Sequence, residues 1–195
     1  KLTSDLERCN RPSEDSAPVA LIRSCYRARA AHHQSHTMAP RTVVQIPITY
    51  RRAGTEQVVL DLAASARCAG WKTVVVVPRV PALAGFVDEC RAVDAVVEQV
   101  GPLFESKRSP VGNLRDLRRI LLRHRPDVVH LHVPWAPTCF EAVLAASLAR
   151  VPCLVRTEHN PIVDPLSRAQ WSKMKVLDRL VNQIVCVSEG NRVRH

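Results

Sequence analysis

The chain has 195 residues, 46% of them hydrophobic but only 4% aromatic, and a formal net charge of +10. That is room for one ordinary domain plus some excess, with a core that must be built from Val, Leu, Ile and Ala. No run is long and apolar enough for a transmembrane span or the h-region of a secretory signal, so the expected location is the cytoplasm.

Residues 1–37 mix charge, Ser, Pro and His without a period and are expected to be a disordered or weakly ordered tail. They hold six Lys/Arg against four Asp/Glu, so most of the positive charge belongs to residues 38–195. Met38 opens the folded part and is expected to be its natural start. From there the pattern alternates. Thr42–Ile48 is an aliphatic strand. Glu56–Ala69 is an amphipathic helix that Gly70 should close. Lys72–Val77 is a buried strand with four consecutive valines, ended by Pro78. A short helix at Ala84–Arg91 and a strand at Ala95–Val100 follow. Val111–His124 is a helix with Leu114, Leu117, Ile120 and Leu121 turned inward and Arg115, Arg118, Arg119 and Arg123 outward; Arg125-Pro126 stops it. Asp127–Leu131, Pro152–Thr157 and Gln183–Val187 read as strands. Thr138–Ala149 and Ser167–Leu180 read as helices, the latter burying Trp171, Met174, Leu177 and Val181. Ser188 reads as the N-cap of one more helix.

Six strands alternating with helices predict an α/β fold: a Rossmann-like, doubly wound parallel sheet with helices on both faces. The seven cysteines form no CxxC and lie mostly among aliphatics. They read as small buried hydrophobes in a reducing compartment.

In such a sheet, ligands bind beyond the carboxyl ends of the strands, near the switch in strand order. The loops that should share this crest are 49–56, the region of Lys107 and Arg108, 130–135, 158–164 and 188–191. In the first, Gly54 at a strand-to-helix turn lets backbone N–H groups approach a phosphate, with Arg51 and Arg52 alongside. Neither a GxGxxG fingerprint nor a Walker A loop is present. His130 and His132, two apart in a strand, point to one face. With His159 and Asp164 they could bind a metal, although no spacing supplies a clear ligand set. Thr157-Glu158-His159-Asn160 places four polar groups straight after an aliphatic run. No nucleophile elbow is present, which leaves a serine hydrolase without support.

Three stretches carry a resemblance. They are Arg52-Ala53-Gly54-Thr55-Glu56 with the helix it opens; Arg125-Pro126-Asp127-Val128-Val129-His130-Leu131-His132; and the span from Val151-Pro152 through Thr157-Glu158-His159 to Val185-Cys186-Val187-Ser188-Glu189. Together they resemble the N-terminal domain of family 4 of the retaining GT-B glycosyltransferases, over residues 41–195. The resemblance implies two Rossmann-like domains facing across a cleft, the first holding a sugar or lipid-linked acceptor and the second the nucleotide sugar. It implies that Gly54 and Thr55 approach the donor diphosphate, that His159 is catalytic and contacts the transferred sugar, that His132, Glu158 and Asn160 face the acceptor, and that Ser188 and Glu189 border the donor side of the cleft. No metal and no cofactor beyond the nucleotide-sugar co-substrate are expected, and nucleic acid is not an expected partner. Ala53 stands where the family's loop has its first Gly. The family's Glu-x7-Glu donor motif belongs to the C-terminal domain, so the chain alone is expected to be inactive. A non-catalytic domain binding a glycan, a lipid phosphate or a protein is the alternative, and a metal-dependent hydrolase using His130, His132 and His159 a third. The basic helix 111–125 is expected to contact anionic membrane at the inner face.

Overall fold

A computed structural model of the chain describes residues 40–101, 110–134, 136–160 and 167–188. The tail over residues 1–37, Lys107, Arg108, Trp135, Asp164 and Glu189 lie outside these residues.

Strands β1 (Thr42–Pro47), β2 (Lys72–Pro78), β3 (Val96–Val100), β4 (Val128–Val133), β5 (Leu154–Glu158) and β6 (Gln183–Cys186) form one sheet in the order β3-β2-β1-β4-β5-β6. Every neighbouring pair is parallel. The helices α1 (Gly54–Cys68), α2 (Ala84–Ala92), α3 (Pro110–His124), α4 (Phe140–Leu148) and α5 (Arg168–Asp178) connect them. The order reverses between β1 and β4, so the chain is doubly wound, as its alternation predicted.

Alternating strand residues pack against opposite helical layers. Val44, Ile46, Val129, Leu131 and Leu154 join Leu117, Leu121, Val143 and Leu177 beneath α3, α4 and α5. On the other face, Val43, Val128 and Val155 pack with Leu62 and Ala66 of α1. Val75 and Val77 pack there with Val59, Phe86 and Val87 of α1 and α2. Each fully buried aliphatic side chain contributes about 1.5–3 kcal/mol. Covering on both sides explains why the strands read as unbroken aliphatic runs.

The helix ends follow local chemistry. After α1, Gly70 adopts φ +77°, and Trp71 N–H donates back to Ala66 O at 2.9 Å. Ser167 caps α5: its Oγ accepts the Gln170 N–H, and the Gln170 side chain accepts the Ser167 N–H. Non-glycine residues hold the left-handed conformation after α2, α3 and α4: Asp94, Arg125 and Arg150.

Several expectations need correction. Strand β4 runs two residues further than its aliphatic stretch, so His132 lies inside it. Trp171 remains 39% exposed, because α5 covers the margin of the sheet and buries only the narrow stripe of Met174 and Leu177. Cys68 is exposed at the end of α1 and is disulfide-bonded, whereas Cys90, Cys139, Cys153 and Cys186 form no disulfide. Among the described residues, no helix is long and apolar enough to cross a membrane.

Candidate active site at the switch point

Parallel pairing aligns the carboxyl ends of the central strands. Pro47 is in register with His132, His132 with Thr157, and Glu158 with Cys186. Pairing continues beyond the strand ends: Ile48 N–H donates to His132 O, His159 N–H to Val133 O, and Asn160 N–H to Pro134 O. The loops after β1, β4 and β5 therefore leave from one rim.

On the face covered by α1, polar side chains replace aliphatic ones as the rim approaches. Gln45, His130, His132 and Thr157 are all buried there. His130 Nε2 lies 2.8 Å from Thr157 Oγ1. His132 Nε2 lies 3.1 Å from Gln45 Oε1, across the switch point. Its other nitrogen, Nδ1, lies 3.4 Å from Nε2 of the half-buried His159. The His130 and His132 rings pack with centroids 4.0 Å apart, and those of His132 and His159 stack at 5.6 Å. Buried polar groups of this kind need partners, and these find one another except for the amide nitrogen of Gln45, which is buried without one.

Burial keeps all three imidazoles neutral. It pulls His130 down to about 3, with His159 adding to the effect. It holds His132 well below the ordinary value, reinforced by His130 and His159. It lowers His159 to about 4, while the Glu56 carboxylate pulls the other way.

Helix α1 opens toward this rim. Ala53 is its N-cap in extended backbone, φ −150° and ψ −164°, a conformation open to a residue with a Cβ. Ala53 has no side-chain acceptor, so only half of a capping box forms: Glu56 Oε2 accepts the Ala53 N–H. Glu56 is fully buried, and its Oε1 has no hydrogen-bond partner. Gly54 is exposed, and a Cβ there would meet no atom within 4 Å. The first turn is thus open, with uncapped N–H groups of the sort that receive anions. Arg51 is exposed beside it. Arg52 is drawn away, 2.7 Å from Glu89, 3.0 Å from Gln57 and over the Phe86 ring.

The site residues read from the sequence thus divide. His132 and His159 meet, with His130 packed against them; Gly54 and Thr55 form the first turn of α1, and Asn160 is exposed at the rim. Glu158, expected beside His132, is on the opposite face. It is buried there 2.8 Å from Arg156, whose Nη2 also lies 2.7 Å from Asp178 of α5. Ser188 is exposed after β6. Gln45, Glu56 and Arg156 were missed. Gln45 and Arg156 did leave a signal: each interrupts an aliphatic strand, where a polar group must be paired. The histidine nitrogens face Gln45, Thr157 and one another, and among the described residues no three His, Cys, Asp or Glu side chains are grouped to hold a metal ion.

A doubly wound parallel sheet with a polar rim at its switch point is the Rossmann-like class. Within it, the chain belongs to glycosyltransferase family 4, whose sequence profile matches residues 52–193, and it has the fold of a GT-B N-terminal domain. Among solved structures it is similar to a glycosyltransferase from Rickettsia africae, with a TM-score of 0.62 at 18% identity over 80% of this chain and 38% of that one. It is similar to UDP-GlcNAc 2-epimerase from Neisseria meningitidis bound to UDP-GlcNAc, with a TM-score of 0.56 at 14% identity over 78% of this chain and 41% of that one. It is also similar to MnaA from S. aureus in complex with UDP, with a TM-score of 0.57 at 13% identity over 80% and 41%. At these identities the likeness is one of fold. The chain spans 38% to 41% of the length of these three proteins. No curated protein matches it.

Proposed function

We propose that the chain is the acceptor-side half of an enzyme that transfers a sugar from a nucleotide-sugar donor to an acceptor, and that it turns over only with a C-terminal donor-binding domain. One observation carries this reading: the open N-terminus of α1 and the His132–His159 pair lie at the same end of the sheet, on either side of its switch point. The first supplies backbone N–H groups and a favourable partial charge to a departing diphosphate. The second offers the remaining nitrogen of His159, a neutral imidazole, to a hydroxyl of the transferred sugar, while both nitrogens of the buried His132 are engaged by Gln45 and His159. Transfer of this type depends on stabilising the leaving group and holding the acceptor in place, and both tasks suit a preorganised rim.

In this reading Gly54 and Thr55 approach the donor diphosphate, and His159 is the catalytic residue at the sugar. Asn160 faces the acceptor, the buried His132 supports His159 from behind rather than meeting the acceptor as expected, and Ser188 and Glu189 border the donor side of the cleft. The exposed Arg115 and Arg118 on α3, with Val111 and Leu122 also exposed, form a surface for anionic lipid at the inner face of a membrane, where lipid-linked acceptors reside. Co-sedimentation with vesicles that ignores their anionic content would remove the membrane contact.

The test is a fusion of this chain to the C-terminal half of a family 4 enzyme, assayed for turnover of UDP-N-acetylglucosamine. The fusion should turn over the donor. The 195-residue chain alone and a His159→Ala fusion should not. Turnover by the chain alone would overturn the requirement for a second domain, and full activity of the His159→Ala fusion would overturn the site.

A further inference from the structure

Gln45 is an expensive residue for its position. It lies in the central strand between Val44 and Ile46, fully buried, where an aliphatic side chain would serve the core without a partner. Its carboxamide oxygen faces His132 Nε2 at 3.1 Å, across the point where the strand order reverses, and its amide nitrogen is buried with no hydrogen-bond partner.

We propose that Gln45 is a positioning residue: acting through His132, it fixes the ring proton of His159 on Nε2 and leaves Nδ1 bare. The argument is one of proton counting. A carboxamide oxygen only accepts, so His132 must present an N–H at Nε2. A neutral imidazole has one N–H, so Nδ1 of His132 is then an acceptor. The group facing that nitrogen is His159 Nε2, 3.4 Å away, and it must donate. His159 is neutral too, so its second nitrogen carries no proton. One buried amide thereby sets the proton positions of two rings, the second of them, His159, only half-buried at the rim.

The neighbouring ring lies outside this chain of contacts: His130 packs 4.0 Å from His132, but its Nε2 is held by Thr157 Oγ1 and not by Gln45 or His159. Glu56 is the charged group that acts on His159. A bare Nδ1 accepts a hydrogen bond and suits a hydroxyl donor. That this hydroxyl belongs to the transferred sugar rests on the glycosyl-transfer reading; which nitrogen is bare does not.

The experiment is long-range proton–nitrogen NMR of the full chain with nitrogen-15-labelled histidine, at pH 7 and without substrate. The wild-type spectrum should show His132 and His159 both protonated on Nε2. Gln45→Met keeps the length of the side chain but removes the acceptor, and should turn the single His159 pattern into a mixture of the two tautomers. Thr157→Val disturbs the neighbouring ring alone and should leave His159 unchanged. Three results would each overturn the proposal: His159 protonated on Nδ1 in the wild type, an unaltered His159 pattern in Gln45→Met, or an equal disturbance from Thr157→Val. The wild-type spectrum decides even if Gln45→Met does not fold. A fusion that transfers no sugar would remove the glycosyl-transfer reading and leave this result standing.

Discussion

Nη2 of Arg156, in β5, lies 2.7 Å from Oδ1 of Asp178, the last residue of α5, and 2.8 Å from Oε1 of Glu158. The guanidinium is fully buried. Burial works against its charge, but Cys139, Glu158 and Asp178 outweigh it and the group stays protonated. The clamp ties an outer helix to the strand that ends next to His159. Losing one partner of a buried pair is far costlier than losing both. Arg156→Met should therefore destabilise the fold by about 3–5 kcal/mol. Adding Glu158→Gln should recover a substantial part of that, as read from denaturant midpoints. Equal stability of the single and double variants would contradict the clamp.

The three neutral histidines make stability depend on pH. An unfolded histidine titrates near 6.5, whereas in the fold His130 titrates at about 3 and His159 at about 4, with His132 lowered as well. Below about pH 6.5 the unfolded chain takes up protons that the folded one refuses. These residues impose no such penalty above that pH. As the pH falls from 6.5 toward 4, each costs stability at up to about 1.4 kcal/mol per pH unit. Unfolding measured from pH 7.5 to 5 should show this loss, and His130→Phe should make it shallower. A flat profile would mean that the rings are charged or exposed.

Gly54 separates a folding role from a binding one. Nothing in the fold occupies the space of a Cβ at this position. Gly54→Ala should thus leave stability unchanged or raise it by up to about 1 kcal/mol. If a diphosphate comes against this turn, the same methyl group should weaken UDP binding by the fusion at least severalfold. Unchanged affinity, read by calorimetry, would move the diphosphate elsewhere.

Arg150 ends α4 with φ +55°. A side chain in this left-handed region costs about 1–2 kcal/mol relative to the right-handed one, a penalty that glycine escapes. Arg150→Gly should stabilise the domain by about 1 kcal/mol, allowing for the greater freedom it gives the unfolded chain. A lower melting temperature would show that the arginine makes a compensating contact.

The elements were legible where burial imposes a period. The valine run of β2 and the Leu114–Leu121 stripe of α3 both announce themselves, and with six such units the winding follows. What the periodicity hides is which face a polar residue chooses. Glu158 and Thr157 are neighbours in sequence, yet the pleat sends Thr157 toward His130 and Glu158 toward Arg156. A short polar run at a strand end therefore read as one site when it serves two. Trp171 misled for a related reason: its spacing fits the helix, but the sheet beneath is too narrow to cover it.

The most direct test of the central claim is a chemical-shift map of the fused protein titrated with UDP-N-acetylglucosamine. The rim at the β1–β4 switch point should respond: the amides of residues 53–56 and 159–160 and the ring nitrogens of His132 and His159. Shifts confined to α2 and β3, with the histidine rings silent, would place the ligand away from the switch point and contradict the account.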